Sequence, residues 1–429
     1  MMTALLAVAI FVIAYALIAS EKVNRAAAAL GGAAVMAVAG IVDAHSAFFS
    51  EETGVDWNVI FLLLGMMIIV SILKQTGVFQ AVAIWAAKRA RGEPYRLMVM
   101  LLLVTGLVSP VLDNVTTVLL VAPVTILVCR RLGLPVAPYL IAEVLASNIG
   151  GAATLIGDPP NIIIGSRAGL SFNDFLIHMA PIIAVLLVVF ALLCRLMFRS
   201  TFRHKPANAT EVMELNEREA IKDPKMLVRC LIVLGAVIVG FCLHAVVHIE
   251  PSIVALLGAG VMILVSRTTP EQFLEEVEWP TLVFFMGLFV LVGGLVTTGV
   301  IERVGEFLID AVGENYLLAA TALLFGSVIL GMFFDNIPYV ATMVPIVAGL
   351  VATVPDPEQA NALWWAFALG ADLGGNGTAV AASANVVVLG IAARNGEPIS
   401  FWDFTRYGLL TTAVTALLAW PYVWLRYFV

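Results

Sequence analysis

One set of polar residues occurs twice in an otherwise apolar chain. Thr76-Gly77-Val78 returns as Thr298-Gly299-Val300, Asp113-Asn114-Val115 as Asp335-Asn336-Ile337, and Pro123 as Pro345. Asn148-Ile149-Gly150-Gly151 returns as Asp372-Leu373-Gly374-Gly375, Thr154 as Thr378, and Asn161 as Asn385. Ser171-Phe172-Asn173-Asp174-Phe175 comes back as Ser400-Phe401-Trp402-Asp403-Phe404. Such a chain is built from two equivalent halves. In an apolar background, repetition of this kind points to the transporter class of membrane proteins.

Composition decides the medium. Of 429 residues, 61% are hydrophobic and 12% charged, about half the charged share of a soluble domain. Apolar runs close to the ~20 residues that cross a bilayer fill 3–20, 26–43, 59–76, 176–198, 229–248, 251–266, 281–298 and 407–428. The expected fold is therefore all-α and polytopic, set in a lipid bilayer. The first run has no basic leader and no small-residue cleavage site, so it reads as a retained span. The net charge of −7 lies mostly in short loops and gives no support to a nucleic-acid partner. Cys129, Cys194, Cys230 and Cys242 lie in apolar segments without metal-type spacing and read as small buried hydrophobes. The five histidines form no metal-type cluster. No metal or cofactor is expected. The chain has no nucleotide-binding P-loop and no Ser/His/Asp set on a plausible loop, so it does not read as an enzyme. Any energy source is then an ion gradient or a separate, soluble ATPase subunit.

Lys and Arg mark cytoplasmic loops. Lys22 and Arg25 put the first loop inside and the N-terminus outside. Asp43, Glu51, Glu52 and Asp56 put the next loop outside, and Lys88, Arg89, Arg91 and Arg96 put the third inside. Lys74, near the end of a span, reads as a side chain snorkelling to the surface. The stretch 97–129 is broken at Asp113-Asn114 and ends at Arg130-Arg131, so both ends are basic. A re-entrant hairpin with its tip at Asp113-Asn114 keeps both inside. Segment 136–165 then crosses outward and 176–198 returns. An odd number of crossings turns the second half upside down. Its hairpin, about 317–352, is flanked by Glu302, Glu306, Asp310, Glu314, Asp356 and Glu358, with Arg303 the single exception. The expectation is two inverted repeats, 1–200 and 229–429, joined by a cytoplasmic linker at 201–228. They contain about ten transmembrane helices plus two re-entrant helical hairpins with broken helices.

A carboxylate at mid-membrane costs about 2.5–3.5 kcal/mol even on lenient insertion scales. Five stand out: Asp113, Glu143, Asp158, Asp335 and Asp372. One member of each Asp-Asn pair is expected to cap the returning helix of its hairpin. Capping alone does not need a carboxylate, so Asp113 and Asp335 are also assigned to the transported species. Gly150-Gly151 and Gly374-Gly375 weaken their helices. They read either as close helix packing or as helices unwound at mid-depth, which is tolerated only where backbone lines a cavity or is buried. Two copies, each beside Asn or Asp and each followed by Thr and then Asn, favour a site. Asn148 becomes Asp372 in the second copy, so the site is asymmetric in charge. Asp372 is the candidate proton or cation carrier. Asp158, in Gly157-Asp158-Pro159-Pro160-Asn161, is either a cap for the following helix or part of the site. Glu143, whose counterpart is Phe367, either extends a proton path or pairs with a basic residue.

At these positions the chain resembles an ion transporter superfamily. Its members include ArsB-type arsenite pumps, NhaD-type sodium/proton antiporters, the melanosomal P protein, and citrate and dicarboxylate carriers. The resemblance rests on Leu112-Asp113-Asn114, the run from Ala146 to Asn161, Asp335-Asn336-Ile337-Pro338 and Asp372-Leu373-Gly374-Gly375-Asn376. It implies a transport domain of hairpin tips and broken helices that slides against an outer scaffold, often dimeric, in an elevator motion. It further implies export of arsenite or antimonite in exchange for protons, across a plasma (inner) membrane. Arsenite is mainly uncharged at neutral pH and needs hydrogen-bonding groups. The expected substrate site is Asn114, Asn148, Gly150, Gly151, Thr154, Asn161, Asn336, Gly374, Gly375, Asn376, Thr378 and Asn385. Proton coupling falls to Asp113, Asp335, Asp372, Glu143 and Asp158. No Arg or Lys is expected there, which argues against citrate-like anions. The alternatives are a sodium/proton antiporter of the NhaD type, using the same carboxylates as cation ligands, or another anion carrier of the same superfamily.

Overall fold

The computed structural model describes residues 2–20, 22–204 and 216–429. Among them the chain is all helical, with 22 α-helices and no strand. The first half holds α1 (Met2–Ala19), α2 (Arg25–Val38), α3 (Ala44–Phe48), α4 (Trp57–Gln75), α5 (Val78–Arg89), α6 (Pro94–Leu112), α7 (Asn114–Leu132), α8 (Ala137–Gly151), α9 (Pro159–Ala168), α10 (Phe172–His178) and α11 (Ala180–Met197). After the short α12 (Glu217–Ala220) come α13 (Pro224–Val247), α14 (Pro251–Ser266), α15 (Pro270–Leu274), α16 (Trp279–Thr297), α17 (Val300–Val312), α18 (Tyr316–Gly331), α19 (Asn336–Val351), α20 (Pro357–Gly374), α21 (Ser383–Arg394) and α22 (Phe401–Tyr427). The order of helices is the same in both halves, except that α10 and α11 of the first correspond to the single continuous α22 of the second.

Two of the repeated motifs turn out to be punctuation. Gly77 and Gly299 both adopt left-handed backbone, φ 82° and 70°, at the residue before α5 and α17. Only glycine takes that conformation without cost, and a Cβ on Gly77 would also strike the Ala220 carbonyl. Ser171 and Ser400 are helix caps. Ser171 accepts from the Asp174 amide at 3.2 Å and Asp174 accepts in return from the Ser171 amide at 2.7 Å. Ser400 accepts from the Asp403 amide at 3.0 Å. Each such cap satisfies amides that the helix itself leaves open.

Eight helices among the described residues are long and apolar enough to cross a membrane. Leucines and valines such as Leu107, Leu192, Val246 and Leu264 face outward rather than into the core, as in a protein solvated by lipid. Two of the eight, α6 and α7, are the limbs of the first hairpin, and each is 19 residues long. At 1.5 Å per residue each limb measures roughly 28 Å, longer than a re-entrant tip at mid-depth leads one to expect. The runs at 26–43 and 251–266 form the shorter α2 (14 residues) and α14 (16 residues). The segments 136–165 and 361–391 are broken pairs, α8–α9 and α20–α21.

The helices pack as two groups. An outer group pairs α1 with α2, α13 with α14, α4 with α14, and α16 with α2, so each half lends helices to the other. An inner group packs α6 on α8 and α18 on α20, crosses α9 onto α19 and α21 onto α7, and is backed by α11 and α22. Each of the pairings named has its counterpart in the other half. The linker expected at 201–228 lies partly outside the described residues. Within that stretch α13 begins at Pro224, where Asp223 caps it by accepting from the Lys225 and Met226 amides at 2.9 and 3.0 Å. Lys74 reaches the surface, where its ammonium meets the exposed Glu276 carboxylate at 2.6 Å.

Candidate functional site

The site forms where the two hairpin tips meet the two helix breaks. Residues 152–158 separate α8 from α9, and residues 375–382 separate α20 from α21. The first break starts just after its glycine pair and the second at Gly375, the second glycine of its pair. Gly150 itself serves packing: a Cβ there would collide with the Gly106 backbone of α6. Gly151 and Gly157 face each other across the first break with no room for side chains. Gly374 and Gly375 are less crowded, with the nearest backbone atoms at 3.0 and 3.1 Å from a Cβ. The close-packing reading of the glycines therefore holds alongside the unwound one.

Amides from both halves interlock at the centre. The Asn148 amide nitrogen donates to Asn376 Oδ1 and Asn385 Oδ1, both at 3.0 Å. Asn114 donates to Asn148 Oδ1 at 3.2 Å and to Asp158 Oδ2 at 2.9 Å. Asn385 donates to the carbonyls of Gly375 and Thr378 at 2.8 and 2.9 Å. Its partner in the repeat, Asn161, donates to the Thr154 carbonyl at 3.2 Å. Asn336 is buried beside Gly375, and its main-chain amide donates to the Ala381 carbonyl at 3.2 Å. These asparagines hold the non-helical backbone and cross-link the halves.

The threonines do a different job. Thr154 donates to the Pro110 carbonyl. Thr378 donates to the Met332 carbonyl at 2.7 Å. Each hydroxyl ties a helix break to the hairpin of its own half and keeps its acceptor lone pairs.

The five carboxylates separate into three kinds. Asp113 and Asp335 are half-buried caps. Asp113, at φ 88°, accepts from the Thr116 amide and hydroxyl, both at 2.7 Å, and Asp335 accepts from the Ile337 amide at 3.1 Å. The aspartate, not the asparagine, caps each returning helix, which frees Asn114 and Asn336 to face the centre. Asp158 and Asp372 are fully buried and belong to the amide cluster. Asp158 occupies the position before α9, yet its side chain makes no capping bond; it accepts from Asn114 instead. That removes the capping alternative. Asp372 has no hydrogen-bond partner on either carboxylate oxygen, and Asn114 Oδ1, Asn161 Oδ1 and Asn376 Nδ2 are also unpartnered. Asp158 lies within electrostatic reach of Asp372, Asp113 and Asp335. Glu143 stands apart, on the face of α8 that meets α7, where Thr125 donates to one oxygen and the other has no partner. It forms no ion pair among the described residues.

The sequence missed one participant. Arg25, assigned only to a loop, reaches in from the start of α2. Its guanidinium donates to Ser383 at 2.6 Å and lies 3.6 Å from Asp335. The outer group holds it there: Thr281 accepts at 3.2 Å and the Phe284 ring lies 5.4 Å from it. A cavity of about 380 Å³ opens at this point, lined by Tyr15, Asn24, Arg25, Asp335, Ser383 and apolar neighbours. A basic residue therefore meets Asp335, one of the carboxylates assigned to proton coupling. A guanidinium distant in sequence leaves no local pattern; Asn24 before an Ala-rich helix was the only sign that Arg25 begins a helix rather than sits in a loop.

Comparison with known proteins follows the same lines. A Mycobacterium tuberculosis protein described as an uncharacterized transporter is 57% identical over 426 residues, spanning 99% of both chains. A 46 kDa membrane protein of Mycobacterium leprae is 54% identical over 424 residues, again 99% of each. The human P protein is 36% identical over 500 residues, which cover 97% of this chain and 59% of that longer protein. Among solved structures, the Alcanivorax borkumensis YdaH transporter superposes with a TM-score of 0.60 over 91% of this chain and 88% of its own, at 14% identity. That likeness concerns the fold alone. With the hairpins, the helix breaks and the amide cluster in place, the match of residues 15–370 to the family described as CitMHS, citrate transporter, is decisive: the chain is a membrane transporter that belongs to this family.

Proposed function

We propose that the chain is a secondary active transporter coupled to protons, with Asp372 as the proton carrier and Asp158 as its partner. One observation carries this reading: Asp372 is a buried carboxylate with no well-formed hydrogen bond to either oxygen, and its polar neighbour, Asn161, comes from the other half. An ionised carboxylate held that way costs several kcal/mol. A proton removes the charge and supplies a donor that unpartnered acceptors such as Asn161 Oδ1 lack. Sodium is less well served. The Gly375 and Thr378 carbonyls, which a hard cation would need, already accept from Asn385.

The two packed groups support a sliding, elevator-type movement of the inner one, with the halves inverted and the N-terminus outside as the loop charges require. For the cargo, the amide-lined centre supports a small uncharged oxyacid, with arsenite or antimonite trihydroxide expelled as protons enter. Arg25 at the cavity mouth supports a second reading, an organic anion.

Proton flux in proteoliposomes with an internal pH dye tests the proposal. A pH gradient is imposed, and arsenite, citrate and sodium are added separately. Dissipation by arsenite supports the first cargo and dissipation by citrate the second. Dissipation by sodium alone transfers the carboxylates to a cation antiporter. An Asp372→Asn protein that couples as well as the parent overturns the proton assignment.

A further inference from the structure

Five ion pairs occur among the described residues, and two of them join the inner group to the outer one. Both use arginine. Arg25, fixed to the outer group by Thr281 and Phe284, reaches inward to Ser383 and Asp335. Arg167, at the end of α9, reaches outward. Its guanidinium lies 3.5 Å from Asp56, donates to the carbonyls of Glu51 and Gly54, and sits 5.9 Å from the Phe289 ring. Ser166 beside it donates to Asp56 at 2.7 Å. The first contact lies near the start of α16 and the second farther along the same helix. Neither is inherited from the repeat: the position matching Arg167 in the second half is Ile391.

We propose that Arg25 and Arg167 are paired latches, positioning residues that hold the inner helices against the outer ones in this conformation and that both release when the inner group moves. The inference rests on the sliding movement proposed above. A guanidinium suits the task because its planar fork engages several acceptors at once, which a lysine ammonium does not reproduce. Both side chains are partly shielded, with 34% and 22% of their surface exposed. Each latch therefore contributes modestly and tips an equilibrium rather than locking it. Arg25 also joins the latch to the tip of the second hairpin, so whatever occupies Asp335 acts directly on the grip.

The test uses the full-length protein in proteoliposomes. Val387 lines the cavity at Arg25, so the rate of maleimide labelling of Val387→Cys reports how often this conformation is present. The parent, with its four native cysteines, serves as blank. Arg25→Gln and Arg167→Gln are each expected to slow labelling about fivefold, with Arg→Lys at either place restoring only part. Unchanged labelling in both Gln variants overturns the latches. If a Gln variant fails to fold, Ser383→Ala and Asp56→Asn cut the same contacts from the other side, and unchanged labelling in those is equally fatal. A disulfide between Asp56→Cys and Ser166→Cys separates the two layers of the argument. If it stops transport reversibly, the movement stands whatever the arginine variants do. If it forms and transport continues, the movement fails and the latches fail with it.

Discussion

The two hairpin tips carry the same residues and sit in different surroundings. At the first, Asp113 takes left-handed backbone and spends both carboxylate oxygens on Thr116, while Asn114 bridges Asn148 and Asp158. At the second, Asp335 caps α19 with one oxygen and offers the other to Ser383 and Arg25. The breaks differ in the same spirit. The first half carries its carboxylate at Asp158, where the second has Ala382; the second carries Asp372, where the first has Asn148. Backbone symmetry builds the frame, and side-chain asymmetry gives it one charged centre and one basic contact. A symmetric set of four central carboxylates would repel itself in a low dielectric, so the asymmetry has a physical reason.

The largest expected effect falls on the break that bears the unpartnered acid. Asp372→Asn should lower proton-coupled flux by about 100-fold or more, the scale of losing a positioned proton carrier, with folding intact by size-exclusion and thermal melt. Moving the acid to the other half, Asn148→Asp with Asp372→Asn, should not restore flux. Asn148 donates to Asn376 and Asn385, and an aspartate cannot donate when ionised. Rescue by that double variant would mean that the halves are interchangeable and would break the comparison.

Stability contrasts come next. Asn385→Ala removes three central hydrogen bonds and Asn161→Ala removes one. The expected losses are about 3 and about 1 kcal/mol, read as melting temperatures in detergent. Equal shifts would mean that the two breaks are held alike. Gly150→Ala forces a Cβ into the Gly106 backbone, whereas a Cβ on Gly374 meets its nearest atom at 3.0 Å. The first should cost about 1–3 kcal/mol as overpacking and the second less. The smallest effect belongs to the tips: Asp113→Asn keeps a capping side chain and a residue that tolerates positive φ, so its melting temperature should stay within a few degrees. Asp335→Asn should show a comparable melt but lose the charge that faces Arg25, and so weaken the response of melting temperature to added salt.

Much of this was legible in the chain. The repeats, the apolar spans, the break at Asp113-Asn114 and the unwound segments after each glycine pair all follow from local chemistry, because helix propensity, capping and hydropathy act over a few residues. The functional weight of Asp372 was also signalled, since an acid in an apolar segment is costly to bury. What stayed hidden depended on which atoms fold against which. Thr154 and Thr378 each fasten a break to the hairpin of its own half; Asp158 looked like a possible cap and is a member of the cluster; Lys74 ends at the surface and meets Glu276 there.

Arg25 marks that division most clearly. The sequence determined that the chain is a helical membrane protein of two related halves, because apolar length and repeated polar residues leave no other medium or plan. The folded arrangement alone decided that a loop arginine from the first half meets the hairpin tip of the second. Contacts between residues hundreds of positions apart are set by the packing of whole helices, and no local pattern encodes them.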